Sequence, residues 1–185
     1  MSSSRRIQKS KLLSYVLRHA PQSFGLALDH GGWVSIDELL NALEAQGHPL
    51  SRDELLDIVA DDSKQRFGLT DGATRIRANQ GHSTAVKLDY EPATPPETLY
   101  HGTVERFWSS IARDGLLRRA RHHVHLSESL EVARQVGARR GAPLLLAVAS
   151  REMSLAGHVF FRAANGVWLT DHVPVRFLRR DPPIV

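Results

Sequence analysis

Five short runs of this sequence pair arginine, lysine or histidine with small polar residues. They are Arg18-His19, Lys64-Gln-Arg66, Gln80-Gly-His82-Ser83, His101-Gly102-Thr103 and Arg121-His-His-Val-His125-Leu-Ser127. A guanidinium meets a phosphate with two parallel N–H bonds, which an ammonium does not do, and an imidazole can hold or pass a proton near neutral pH. The basic residues are biased toward the first type. Of the 24 Lys and Arg, only Lys9, Lys11, Lys64 and Lys87 are lysine, with a formal net charge of +4 and a pI near 9.8. This points to an anionic partner without naming it, because arginine-rich codon usage gives the same count.

Each cluster also has a purely structural account. Arg18-His19 ends an apolar helical stripe, where cations are favoured by the helix dipole. At about 100° per residue both side chains point away from Leu13, Val16 and Leu17. Arg75 and Arg77 share one strand face, and for Arg75 a solvated face is sufficient. His123 and His125 also share a strand face. They could begin a metal site, but no carboxylate accompanies them and a third ligand is needed. A histidine donating to a backbone carbonyl, or one bonding a ribose hydroxyl, fits the same spacing. Spacing alone does not select among these.

Other chemistries are excluded. There is no cysteine, hence no disulfide or thiolate metal site. No Gly-x-Gly-x-x-Gly follows a strand and no Gly-Lys-Ser/Thr occurs, which argues against a Rossmann dinucleotide site and a P-loop. The composition, 42% apolar and 24% charged, is that of an ordinary globular chain. No stretch approaches the roughly 20 apolar residues of a membrane helix, and MSSSRRIQKSKLL lacks the apolar core of a signal peptide. The expectation is a cytoplasmic protein that needs no membrane. With no heptad or exposed apolar stripe, it is expected to be a monomer.

The elements that must position these clusters fall on either side of Asp89–Thr98, a segment with three prolines that reads as an extended connector. Residues 1–88 and 99–185 are the expected lobes. In the first, Leu12, Leu13, Val16 and Leu17 predict a helix stopping near Ala20, since Pro21 disfavours helical geometry before it. Ser35-Ile-Asp-Glu38 and Ser51-Arg-Asp-Glu54 read as capping boxes opening two more helices. Arg66–Thr70 and Ala73–Ala78 flank Asp71-Gly72, a favoured two-residue hairpin loop. Three helices and a two-stranded wing describe a winged-helix-like lobe. In the second lobe, Leu99–Thr103 predicts a strand leading into a helix with Phe107, Trp108 and Ile111. Val124–Ser127 predicts another strand, and Ser129 caps a helix toward Arg140. Leu144–Ala149, apolar on both faces, predicts a central strand. Val159–Phe161 and Val167–Thr170 flank the turn Asn165-Gly166. The whole is α+β, the second lobe built on a small mixed sheet with peripheral helices.

Six segments occur in order: Leu13-Ser-Tyr-Val-Leu-Arg-His-Ala-Pro21, Lys64-Gln-Arg-Phe67, Ile76-Arg-Ala-Asn-Gln-Gly-His-Ser83, Tyr100-His-Gly-Thr103, His123-Val-His-Leu-Ser127 and Phe161-Arg-Ala-Ala-Asn-Gly-Val-Trp-Leu-Thr170. Together they resemble the NAD-dependent RNA (tRNA) 2′-phosphotransferases across about Ser10 to Leu178. The resemblance implies a winged-helix-like RNA lobe joined to an ADP-ribosyltransferase-like lobe with the active site in the cleft between them. It implies NAD⁺ as co-substrate, no metal, and an RNA carrying a 2′-phosphate as partner. The RNA 2′-phosphate attacks the nicotinamide-bearing ribose carbon and expels nicotinamide. The ribose 2″-hydroxyl then attacks the phosphate, releasing 2′-OH RNA and ADP-ribose 1″,2″-cyclic phosphate.

The family's catalytic Arg-His-Arg-Arg set falls on Arg18, His19, Arg66 and Arg121, with His19 as phosphate ligand or as proton shuttle in the second step. Cofactor contacts fall on His101, Gly102, Thr103, His125 and Ser127. Lys64, Arg77, Gln80, His82, Ser83, Arg139 and Asn165 are expected to contact RNA phosphate or dinucleotide. Arg140 competes with Arg139 for its place. An ADP-ribosyltransferase that caps terminal phosphates of nucleic acids and stops after the first step would share the fold and the NAD site. A winged-helix regulator without activity would leave His101-Gly-Thr103 and Arg121 unexplained.

Overall fold

The structure, a computed structural model, describes residues 3–181, and its contacts divide the chain into two compact units between Asp89 and Tyr90. The architecture is α+β, with short helices and several small antiparallel sheets.

The first unit holds α1 (Ser3–His19), β1 (Val34–Ser35), α2 (Ile36–Ala45), α3 (Arg52–Ala60), β2 (Phe67–Leu69) and β3 (Arg75–Ala78). Leu13, Val16 and Leu17 of α1 are fully buried against Ile36, Leu39 and Leu43 of α2 and Leu55 of α3. That stripe fixes which side of α1 is left for Arg18 and His19. At α3 the capping box is complete: Glu54 N–H donates to Ser51 Oγ and Ser51 N–H returns the bond to the Glu54 carboxylate. At α2 only the Ser35 half forms.

Two expectations about the wing need correction. The sheet has three strands, in the order β1-β3-β2, because Val34–Ser35 pairs with Ile76 and Arg75. The hairpin loop is also longer than two residues. Thr70 pairs with Arg75, leaving 71–74 as the loop, because Gly72 and Ala73 both take positive φ (75° and 49°). Thr70 Oγ1 then accepts from Arg75 N–H and closes the wider turn.

The second unit contains β4 (Leu99–Val104), α4 (Trp108–Asp114), β5 (Leu116–Leu117), β6 (Val124–Leu126), α5 (Leu130–Ala138) and β7 (Pro143–Val148). These are followed by α6 (Ser150–Leu155), β8 (Phe161–Arg162), β9 (Trp168–Thr170), β10 (His172–Val173) and β11 (Leu178–Arg180). The apolar strand is central as expected: β7 lies between β11 and β4. The expected mixed sheet is replaced by antiparallel ladders, β11-β7-β4, β6-β9-β8 and β10-β5. The strands of the last two sheets are two or three residues long, and short antiparallel partners need only tight turns such as 163–167, whereas a parallel pair needs a long crossover. Within the proline-rich segment, Pro92 bridges Phe161 and Ala93 N–H donates to Phe160. Ser150 Oγ donates to the Pro96 carbonyl at 2.7 Å.

Candidate functional site

In the first unit the C-terminus of α1 is overlaid by residues 79–83. Ser83 N–H donates to the Arg18 carbonyl at 2.9 Å, and Ser83 Oγ lies 2.9 Å from His19 Nδ1. A Cβ at Gly81, whose φ is +90°, would lie in ordinary van der Waals range of the Arg18 side chain. The glycine of Gln80-Gly-His-Ser83 thus serves the turn, whose positive φ a side chain would strain. His82 is fully buried, against Gly32. Arg18, His19 and Ser83 are therefore brought together.

The loop carrying Lys64 and Arg66 is organised by a residue that sequence reasoning missed. Asp62, only 8% exposed, accepts from the Lys64 N–H and pairs with the Arg66 guanidinium. Asn79 grips the same loop, its N–H reaching the Arg66 position of the ladder and its Nδ2 donating to the Gln65 carbonyl at 2.8 Å. Asn79 thereby ties Arg66 to the segment that covers Arg18. Arg77 is placed elsewhere. Its guanidinium stacks 4.6 Å from the Trp33 ring centroid and donates to the Gly31 carbonyl. Arg75 pairs with Asp29.

In the second unit, Tyr100 and Ser127 exchange both backbone bonds, at 2.8 and 2.9 Å. Tyr100 therefore turns its polar groups away from β7. Directions in an antiparallel ladder alternate, so Gly102 also presents its N–H and C=O on the β4 edge away from β7. The other side of Gly102 is closed. A Cβ there would lie 1.7 Å from the Ala133 carbonyl oxygen of α5, so only glycine allows this strand and helix to touch. Thr103 is buried beneath the same helix, and Gly137 sits on its carbonyl.

His101 Nδ1 is 3.0 Å from the His125 carbonyl. A carbonyl only accepts, so Nδ1 carries the proton and Nε2 is left as an acceptor. Burial lowers the His101 pKa against the opposing pull of the His125 carbonyl bond, and the Arg121 and Arg140 charges lower it further. The ring is therefore neutral at pH 7. Arg121 Nη1 lies 3.3 Å from His125 Nδ1. Its own pKa is lowered by desolvation first and then by the Arg140 and Arg139 charges. Both arginines at the end of α5 thus bear on Arg121, while Arg140 also bears on His101.

The remaining residues take supporting positions. Ser127 Oγ accepts from Ser129 N–H at 3.2 Å, and Asn165 Oδ1 accepts from Val167 N–H within its turn. His123 packs edge-on to Phe161 and Tyr90, a different setting from that of His125. Glu128 accepts from Trp168 Nε1 at 2.7 Å and pairs with Arg162. It is a second acidic residue that the sequence did not single out, and nothing in its local pattern marks it.

Residues 4–172 match the family model described as RNA 2′-phosphotransferase, Tpt1 / KptA family. Among individual proteins, the chain is 52% identical to a "Probable RNA 2′-phosphotransferase" of Streptomyces griseus, with 96% of this chain and 98% of that one covered. Proteins of the same name are 53% identical in Burkholderia lata (94% and 91% covered) and 47% identical in Trichormus variabilis (96% and 98% covered).

Proposed function

Because this chain belongs to the RNA 2′-phosphotransferase family, we propose that it removes a 2′-phosphate from RNA by transferring it to NAD⁺. In the first step a phosphate oxygen bonds to the nicotinamide-bearing ribose carbon as the C–N bond breaks and its electron pair leaves with nicotinamide. In the second, the adjacent ribose 2″-hydroxyl gives up its proton as its oxygen bonds to phosphorus, and the P–O bond to the RNA 2′-oxygen breaks, that oxygen taking up a proton as it leaves. The products are 2′-OH RNA and ADP-ribose 1″,2″-cyclic phosphate.

The observation that carries the reading is the pairing, in the second unit, of an open peptide edge with a cluster of guanidinium groups. Gly102 offers one donor and one acceptor at the β4 edge, the complement of a carboxamide such as that of nicotinamide. Neutral His101 offers an acceptor to a ribose hydroxyl. The Arg139 and Arg140 charges bear on Arg121, and an anion such as pyrophosphate or phosphate would offset them. In the first unit, Arg18 and His19 are held by the segment carrying Ser83, and Arg66 by Asp62 and Asn79.

The residues then take these roles. Arg18, Arg66 and Arg121 hold the phosphate oxygens and stabilise the charge that grows on them during transfer, which supplies most of the rate. His19, oriented by Ser83, binds the phosphate and delivers the proton to the leaving RNA oxygen. Lys64 and Gln80 contact the RNA, whereas His82, expected from the sequence to do the same, is fully buried against Gly32 and supports the 79–83 segment from within. A winged-helix-like role for the first unit and an ADP-ribosyltransferase-like role for the second are part of the same proposal.

The test is nicotinamide release. Purified protein with NAD⁺ should release nicotinamide in proportion to added 2′-phosphorylated RNA and not with the matching 2′-OH RNA. Release that instead tracks a terminal phosphate, with a stable ADP-ribosylated RNA, would replace this reading by the capping reaction.

A further inference from the structure

The α1 sequence, SSRRIQKSKLLSYVLRH, contains no acidic residue, and its cations are used unevenly. Arg6 pairs with Asp61 and Lys9 with Glu54, which ties one side of the helix to α3 and its end. On another side, positions 7, 11, 15 and 19 form a single i, i+4 ridge, and Ile7, Lys11, Tyr15 and His19 are all exposed. Tyr15 is 53% exposed, and its ring lies 6.3 Å from the His19 ring, tilted against it. Lys11, one turn earlier, pairs with no carboxylate among the described residues.

A lone exposed tyrosine is ordinary. This one sits one turn, about 5.4 Å, from His19, proposed above to bind the phosphate, and one turn from a lysine without a carboxylate partner among the described residues, on a helix without negative charge. An aromatic face flanked by cations is how proteins hold unpaired nucleotides: bases stack on the ring, and the backbone phosphates follow the charge.

We propose that the Lys11–Tyr15–His19 ridge is the binding track for the RNA strand beside the 2′-phosphorylated nucleotide. Tyr15 stacks on the adjacent base, and Lys11 meets the next phosphodiester. The inference rests on the reading above that His19 contacts the 2′-phosphate. It makes Tyr15 a substrate-positioning residue with little sequence preference, since every base has a π-face. The enzyme then prefers a 2′-phosphate in an unpaired segment to one within a duplex.

The test uses short RNAs with one internal 2′-phosphate, intact or abasic at each neighbouring position in turn. Wild type, Tyr15→Ala, Tyr15→Trp and Lys11→Ala are compared at saturating NAD⁺. One abasic position should raise the wild-type KM for RNA by about five- to 150-fold, the range of one base–aromatic stack. Tyr15→Ala should raise KM for intact RNA by a similar factor, keep kcat within about twofold and lose its sensitivity to that abasic site. Tyr15→Trp should retain it. Lys11→Ala should reduce the salt dependence of binding by about 0.7 in the logarithmic slope, the share of one single-strand phosphate contact. An unchanged KM in Tyr15→Ala, or a full abasic penalty in that variant, overturns the proposal.

Fluorescence anisotropy of the same RNAs without NAD⁺ gives the comparison as a Kd. Absence of all turnover would therefore defeat the phosphotransferase reading while the stack is still decided. Equal Kd values across intact and abasic RNAs would overturn the proposed stack.

Discussion

His101 donates its Nδ1 proton to the His125 carbonyl, 3.0 Å away, and this bond fixes both the tautomer and the free acceptor of the ring. Burial, Arg121 and Arg140 lower its pKa, while the unfolded value is about 6.5. As pH falls below about 6.5 the unfolded chain takes up this proton first, so the stability contributed by His101 is complete above that pH and is lost as pH drops through the folded value. Protonation also removes the Nε2 acceptor. Calorimetric NAD⁺ binding and thermal melts should therefore weaken together on acidification. His101→Gln should bind NAD⁺ more weakly at pH 7.5 and show a shallower pH dependence of both quantities.

Asp62 holds the Lys64–Arg66 loop from a buried position. Asp62→Asn should let the Arg66 guanidinium wander by an ångström or so, a displacement that costs about a hundredfold in turnover. The loss should appear in kcat/KM for the phosphorylated RNA, with NAD⁺ affinity within about twofold of wild type. An equal loss in both would mean that Asp62 supports the fold at large.

Gly102 combines an open peptide edge with a closed Cα face. Gly102→Ala forces a methyl group toward the Ala133 carbonyl, and overpacking of this kind costs about 1–3 kcal/mol or more. Thermal denaturation of the variant should show the second unit melting early, with NAD⁺ only partly restoring it. A variant as stable as wild type would contradict the tight β4–α5 contact.

Arg121 shares its surroundings with Arg139 and Arg140, whose charges lower its pKa. Removing it relieves repulsion. Arg121→Met should therefore be at least as stable as wild type while losing about 10²–10³-fold in kcat, as when one preorganised donor to a developing oxyanion is removed. A matching loss of stability would assign Arg121 a structural duty instead.

The sequence was most legible where one local pattern determines the outcome. Ser51 and Glu54 close their box because the geometry of a helix start is set within four residues, and Leu144–Ala149 is central because both its faces are apolar. The Arg18-His19 and His101-Gly-Thr103 motifs were visible as residue types, but their partners were not. Asp62 gains its role only because the chain turns back at Gln65, where φ is +44°, and Glu128 only through Trp168 and Arg162. Two-residue strands such as β1, β5 and β10 carry no periodicity, so their pairing follows from tertiary contacts. The wing loop misled because Asp71-Gly72 favours a tight turn, which positive φ at Ala73 widens.

The central claim is tested most directly by incubating the protein with NAD⁺ and an RNA bearing one radiolabelled internal 2′-phosphate. The account predicts that the label leaves the RNA and appears in ADP-ribose 1″,2″-cyclic phosphate, only when NAD⁺ is present and with one nicotinamide released per label transferred. Label released as inorganic phosphate without NAD⁺, or retained on an intact RNA, would contradict it.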